Sequence, residues 1–162
     1  MDCLSATDNG WPQDSENIGN AKNAKGTFRT SDEVAKDIVD AALKVHRALG
    51  PGLLESAYQA CLAHELGRRR HRVECEVAPP LEFEGVAIEV GYHIDMRIDP
   101  LVLVENKTLE KILPIHLAQL LTYLKLSGLS LGLIINWNVI LLREGIKRVV
   151  RNHPEELEIE RG

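Results

Sequence analysis

The stretch His93-Ile94-Asp95-Met96-Arg97-Ile98-Asp99-Pro100-Leu101-Val102-Leu103-Val104-Glu105-Asn106-Lys107 sets two apolar-rich runs on either side of an Asp-Pro turn signal. Asp and Pro favour turns, and β-branched runs bounded by such signals read as strands. The two runs are therefore expected to lie side by side as neighbouring strands. Alternate residues of a strand share a face, so His93 goes with Asp95, and Glu105 goes with Lys107. Asp95 and Glu105 are then expected together near the turn. Burying two carboxylates and an ammonium unpaired in apolar segments is costly. A divalent cation would relieve the repulsion between the acids, and Lys107 could align a water or a phosphate oxygen. The alternative is a cross-strand salt bridge on a solvent-facing surface.

Upstream, Thr30 and Glu33 have capping-box spacing, and Val34, Ile38, Ala41, Val45 and Leu49 recur at helical period until Gly50-Pro51-Gly52 ends the helix. A second helix is predicted over 53–70, with Leu54, Tyr58, Cys61, Leu62 and Leu66 as its apolar stripe. VECEV (73–77) reads as a strand, and a turn at Glu84-Gly85 leads into a long strand over 86–98. Downstream, Leu113, Leu117, Leu120, Leu121 and Leu124 mark a third helix over 113–127, and LSLGLIIN (129–136) reads as a strand covered on both faces. Residues 144–151 read as a short basic helix. The order ααβββαβα predicts an α/β domain over 31–153, a mixed sheet flanked by helices. The strands on either side of the third helix should be parallel. Residues 1–30 read as a flexible polar tail and 154–162 as an acidic one.

Two helices add polar groups. Glu55 borders the apolar stripe at the start of its helix, where the helix dipole alone would also favour an acid. His116, Gln119 and Tyr123 form a strip along the third helix, placing Gln119 and Tyr123 on the seam with the sheet, to grip substrate or to bond to the sheet. All three tyrosines, Tyr58, Tyr92 and Tyr123, fall in or beside these segments, which suits a site lining and equally suits core packing.

Composition narrows the class. The 162 residues are 44% hydrophobic and 27% charged, ordinary globular values that exclude wholesale disorder. Area scaling gives about 8,000 Å² folded against roughly 26,000 Å² unfolded, enough burial for a real core. Aromatics at 4% are too few for a module built mainly on stacking platforms, and a net charge of −5 argues against a generally basic protein. No apolar run is long enough to span a membrane, and the N-terminus has no apolar signal core. Cys3, Cys61 and Cys75 are widely spaced with no paired motif, so reduced thiols in a cytoplasm are expected. Basic clusters at Arg68-Arg69-Arg70-His71-Arg72 and at Arg143, Lys147, Arg148 and Arg151 are candidate phosphate contacts.

Gly52-Leu53-Leu54-Glu55-Ser56-Ala57-Tyr58 has the form G-x-x-E-x-x-Y, and the chain from about Ile38 to Arg151 resembles the GxxExxY proteins, a branch of the PD-(D/E)XK nuclease superfamily. Residues 114–136 and 144–150 share in the resemblance. It implies a restriction-endonuclease-like αβββαβ core and Mg²⁺-dependent hydrolysis of nucleic acid phosphodiesters, with Mn²⁺ as a substitute and DNA ahead of RNA. Asp95 matches the acid of the second core strand, and Glu105-Asn106-Lys107 matches the E-x-K of the third. Glu55 matches the acid of the preceding helix, and Gln119 with Tyr123 matches the Q-x-x-x-Y of RecB-like exonucleases. On this reading Asp95, Glu105 and Glu55 hold the metal, Lys107 orients the water, and Gln119, Tyr123, Tyr58 and His93 contact substrate. Two departures stand out. No proline precedes Asp95, and Asn106 occupies a usually apolar position, so its amide must find a partner beneath the sheet. The alternatives are a non-catalytic nucleic-acid-binding or protein-interaction module on the same fold, and a phosphohydrolase of small nucleotides.

Overall fold

The computed structural model describes residues 4–5, 20–22, 28–89 and 91–153. The chain runs β1 (Leu4–Ser5), β2 (Asn20–Lys22), β3 (Phe28–Thr30), α1 (Ser31–Leu49), α2 (Glu55–Arg68), β4 (Val73–Val77), β5 (Glu82–Phe83), β6 (Val86–Ala87), β7 (Ile94–Ile98), β8 (Val102–Lys107), α3 (Pro114–Ser127), β9 (Leu131–Asn136), α4 (Leu142–Gly145) and β10 (Ile146–Val150). One mixed sheet has the order β1-β4-β7-β8-β9-β10. β4, β7 and β8 pair antiparallel, β8 and β9 are parallel across the α3 connection, and β10 closes the edge antiparallel to β9. This is the α/β architecture expected of a restriction-endonuclease-like core. Most of the stretch 1–30 and the whole of 154–162, read as tails, lie outside the described residues.

Helix α1 starts where the capping box places it: the Thr30 hydroxyl accepts from the Glu33 N–H, and the Glu33 carboxylate accepts from the Thr30 N–H. It stops at Gly50, whose φ of 69° suits a residue without a Cβ. One sheet face carries Val102, Val104, Leu131, Leu133 and Ile135 against α1 and α2. The other carries Leu103 and Ile134 against Leu120, Tyr123 and Leu124 of α3. The approach of α3 is close because Gly132 has no side chain: a Cβ there would lie 2.9 Å from the Leu120 methyls.

Several expectations change. The region 86–98 is not one strand. β5 and β6 form a separate two-stranded ribbon turning at Glu84-Gly85, and β7 begins only at Ile94. The predicted basic helix over 144–151 is mainly strand β10, whose register with β9 is continuous from Ile146 to Val150. Alternation puts Lys147 and Arg148 on opposite faces, so the basic cluster read there is divided, and Arg148 pairs with Asp32 at 2.6 Å. The first basic cluster is split: Arg68, Arg70 and Arg72 stay exposed, while the others turn into the fold. His71 lies buried between Asp99 and Asp37, Arg69 pairs with Glu65, and Arg72 pairs with Glu74. Leu54, Leu113, Leu117 and Leu121 are exposed, while α3 buries Leu120, Tyr123, Leu124 and Ser127. Cys61 is a free thiol but Cys75 is disulfide-bonded, which withdraws the thiol argument for a reducing compartment. Among the described residues, no helix is long and apolar enough to cross a membrane.

Candidate active site

Register carries the two acids together. Met96 pairs with Val104 and Arg97 with Leu103, which brings Asp95 opposite Glu105 at the open end of the β7–β8 hairpin, not near its turn. Two hydrogen bonds lock this end: the Asp95 N–H donates to Glu105 Oε1 at 3.3 Å, and the Asn106 N–H donates to Asp95 Oδ2 at 2.7 Å. Glu105 shares its face with Leu103, so it points to the α3 side. Lys107 follows on that face and its Nζ donates to Glu105 Oε2 at 3.3 Å. Glu55 reaches the same strand end from the first turn of α2, where its Oε2 accepts from the Thr108 N–H at 3.1 Å.

Electrostatics mark these residues out. Burial pushes the Asp95 carboxyl up to about 6, with the neighbouring charges of Glu55 and Glu76 adding to the rise and Asn106 and Lys107 opposing it. Burial pushes Glu105 up to about 7, helped by the charge of Asp95. Burial works to lower the Lys107 ammonium, but the charges of Glu105, Asp95 and Glu55 outweigh it and hold the group above its ordinary value. Such clustering of perturbed groups is the usual mark of a functional site.

The other predicted contacts divide. Tyr123 is buried against the acids: burial, and then the Glu105 charge, raise its hydroxyl to about 12, and Gln119 Nε2 donates to that hydroxyl at 2.7 Å. Gln119 itself is exposed. His93 is exposed and precedes β7, so strand parity does not hold it on the Asp95 face. Tyr58 is fully buried on the α1–α2 side, with no surface left for a substrate. There it braces the site from beneath. Its ring stacks on Trp137 at 4.7 Å, its hydroxyl donates to the Gly50 carbonyl, and the Leu53 N–H donates to that hydroxyl. Trp137 Nε1 in turn donates to Asn106 Oδ1 at 2.9 Å, supplying the partner that the buried amide required. The Tyr58–Trp137–Asn106 chain thus ties the loop that launches Glu55 to the strand that carries Glu105.

Glu76 was missed by the sequence reading. It follows Cys75, the partner of Met96, and its charge raises Asp95. The Glu74 and Glu76 pair at alternate positions in VECEV was the available signal.

Among the described residues, no three His, Cys, Asp or Glu side chains form a ready-made metal cage. The donor set at Asp95 and Glu105 nevertheless fits Mg²⁺, which takes one or two carboxylates and completes its shell with waters and substrate phosphates. Two desolvated, mutually repelling acids are stabilised by such a cation.

A mixed sheet with antiparallel strands presenting an Asp and a Glu-x-Lys at one end, between a helical layer on each face, defines a nuclease-type α/β core. The chain belongs to the PD-(D/E)XK nuclease superfamily, whose family model matches residues 32–149. No curated protein and no solved structure matches the chain.

Proposed function

We propose that the protein is a Mg²⁺-dependent nuclease of the GxxExxY branch, hydrolysing phosphodiester bonds of nucleic acid. The observation that carries this reading is the desolvated Asp95–Glu105 pair with Lys107 at 3.3 Å from Glu105. Asp95 and Glu105 would hold the ion, and Glu55 would hold its water shell. When bound, Mg²⁺ supplies acidification of the attacking water and neutralisation of charge growing on the phosphate. Lys107, kept protonated by its acidic neighbours, orients the water or a phosphate oxygen by donating from Nζ. Tyr123, fixed by Gln119 and kept neutral by burial, offers its hydroxyl as a donor beside the same atoms. A pure binder gains nothing from two carboxylates facing a phosphate, since without an ion they repel it.

The test is a panel of labelled single- and double-stranded DNA and RNA incubated with Mg²⁺, Mn²⁺ or Ca²⁺. Cleavage is expected with Mg²⁺ and Mn²⁺, while Ca²⁺, with looser coordination, supports binding more readily than cutting. If no substrate is cut, the nuclease reading fails. The exposed stripe of Leu113, Leu117 and Leu121 on α3 favours the second reading, a protein-interaction module retaining the fold.

A further inference from the structure

We infer that Tyr92 is a base-stacking platform, and that the substrate presents an unpaired nucleobase next to the bond being cut. This rests on the nuclease reading and assigns its substrate class. Tyr92 lies three residues before Asp95, and its ring stacks on that of Tyr123 with centroids 5.5 Å apart and planes 27° from parallel. Tyr123 is 3% exposed, whereas Tyr92 is 42% exposed. The inner ring is fixed by its hydrogen bond from Gln119, and its hydroxyl feels the charges of both Glu105 and Asp95. From the acids outward the layers are therefore Tyr123, then Tyr92, then solvent.

A tyrosine is a large apolar group, and an ordinary core would bury it. Here one face is seated on a rigid partner and much of the ring stays open, within a few residues of acids suited to phosphodiester chemistry. A nucleobase is the flat group that accompanies a phosphodiester, and every base has a π-face, so such stacking is tolerant of sequence. In an intact duplex each base is already sandwiched between its neighbours. Away from a duplex end, only an unpaired or frayed nucleotide can lay a base on Tyr92. The surroundings agree: Glu55, Glu76, Asp95 and Glu105 make this end of the sheet acidic, a poor cradle for the dense phosphate charge of a duplex.

The probe is a short labelled single strand, the same strand with abasic positions, and the matching duplex, titrated in Ca²⁺ and followed by anisotropy. Tyr92→Ala should weaken binding of the single strand by roughly 5- to 150-fold, the span expected for loss of one stacked base. Tyr92→Phe and Tyr92→Trp should retain it, because the ring and not the hydroxyl makes the contact. The abasic strand should bind wild type and Tyr92→Ala equally weakly. Unchanged binding by Tyr92→Ala, an equal loss on the abasic strand, or wild-type preference for the duplex would each overturn the platform while leaving the nuclease reading standing. Wild-type protein that binds and cuts no nucleic acid would overturn both.

Discussion

Asp95→Asn is expected to suppress the proposed Mg²⁺-dependent cleavage and at the same time to raise the melting temperature of the metal-free protein. The two effects come from one fact, that the carboxylate is kept charged where burial opposes charge. Its folded value is raised from 3.8 to about 6, so the native state holds its proton more tightly than the unfolded chain does. At about pH 8 both states are ionised, and the folded state bears the desolvation cost, at most about 3 kcal/mol. Asparagine keeps an acceptor for the Asn106 N–H and removes the charge. A gain of roughly 3–8 °C is expected in the absence of metal, using the usual scaling for chains of this size. Glu105→Gln should behave similarly, with a smaller gain because its amide NH₂ would face Lys107. Cleavage should fall by roughly 10²-fold or more in each, since each variant loses a carboxylate that would hold the ion whose charge neutralises the developing negative centre. A variant that melts lower than wild type, or that cuts as well, removes these acids from the proposed mechanism.

The same shifts fix the sign of the pH dependence. Asp95 and Glu105 have raised folded values, so their contribution to stability is fully present below the unfolded pKa values. It is lost as pH rises through the folded ones, about 6 and about 7. Metal-free protein should therefore weaken in denaturant melts as pH climbs from about 4 to about 7. Millimolar Mg²⁺ should flatten that decline and raise the melting temperature at neutral pH, because the ion binds only the ionised native pair. Melting curves unchanged by Mg²⁺ would count against a metal site at these acids.

How far the residues announced this arrangement depends on which interactions decide it. The Asp99-Pro100 turn and strand parity sufficed to set Asp95 beside Glu105, because a tight hairpin fixes register locally. They did not suffice to place the pair, which lies at the open end of the hairpin and not near the turn. The helical connection sufficed to make β8 and β9 parallel. The buried Asn106 amide was correctly expected to need a partner, though only the fold identifies Trp137. The face of α3 was not legible, since Leu113, Leu117 and Leu121 form as good an apolar stripe as Leu120, Tyr123 and Leu124. The choice between them depends on tertiary packing, where the bare backbone of Gly132 lets Leu120 approach β9. Residues 144–151 carry basic groups at helical spacing, and Ile146 and Val150, four residues apart, suit a helix as well as a strand, so only pairing with β9 decides for the strand. Tyr58 shows the limit at the site. A G-x-x-E-x-x-Y spacing places Tyr58 and Glu55 one turn apart, but whether the ring meets substrate or core depends on Trp137, far along the chain.

Arg97→Met should cost the fold about 3–5 kcal/mol, the largest single loss of stability expected here, while leaving the chemistry of the acids in place. Arg97 is 1% exposed and Glu74 is 2% exposed. Across β4 and β7 the Arg97 Nε donates to Glu74 Oε2 at 2.7 Å, and Nη2 donates to Oε1 at 2.9 Å, a bidentate pair in the sheet. Removing the guanidinium leaves a buried carboxylate whose remaining ion-pair partner, Arg72, is largely in solvent. An uncompensated buried charge costs far more than the intact pair contributes, so the single variant overstates what the pair is worth. The double variant Glu74→Gln with Arg97→Met should accordingly recover most of the loss, and a denaturation cycle over the four proteins measures the coupling. Arg97 and Asp95 are alternate residues of β7 and share a face, but the charges that set Asp95 are Lys107, Glu55 and Glu76. The double variant should therefore keep the pH profile and metal dependence of cleavage at temperatures where it is folded. A double variant as unstable as Arg97→Met would show that the loss comes from packing of the arginine stem and not from the stranded charge. A shifted pH profile would show that Arg97 helps tune Asp95, and would extend the site one residue pair further along the β7–β8 hairpin.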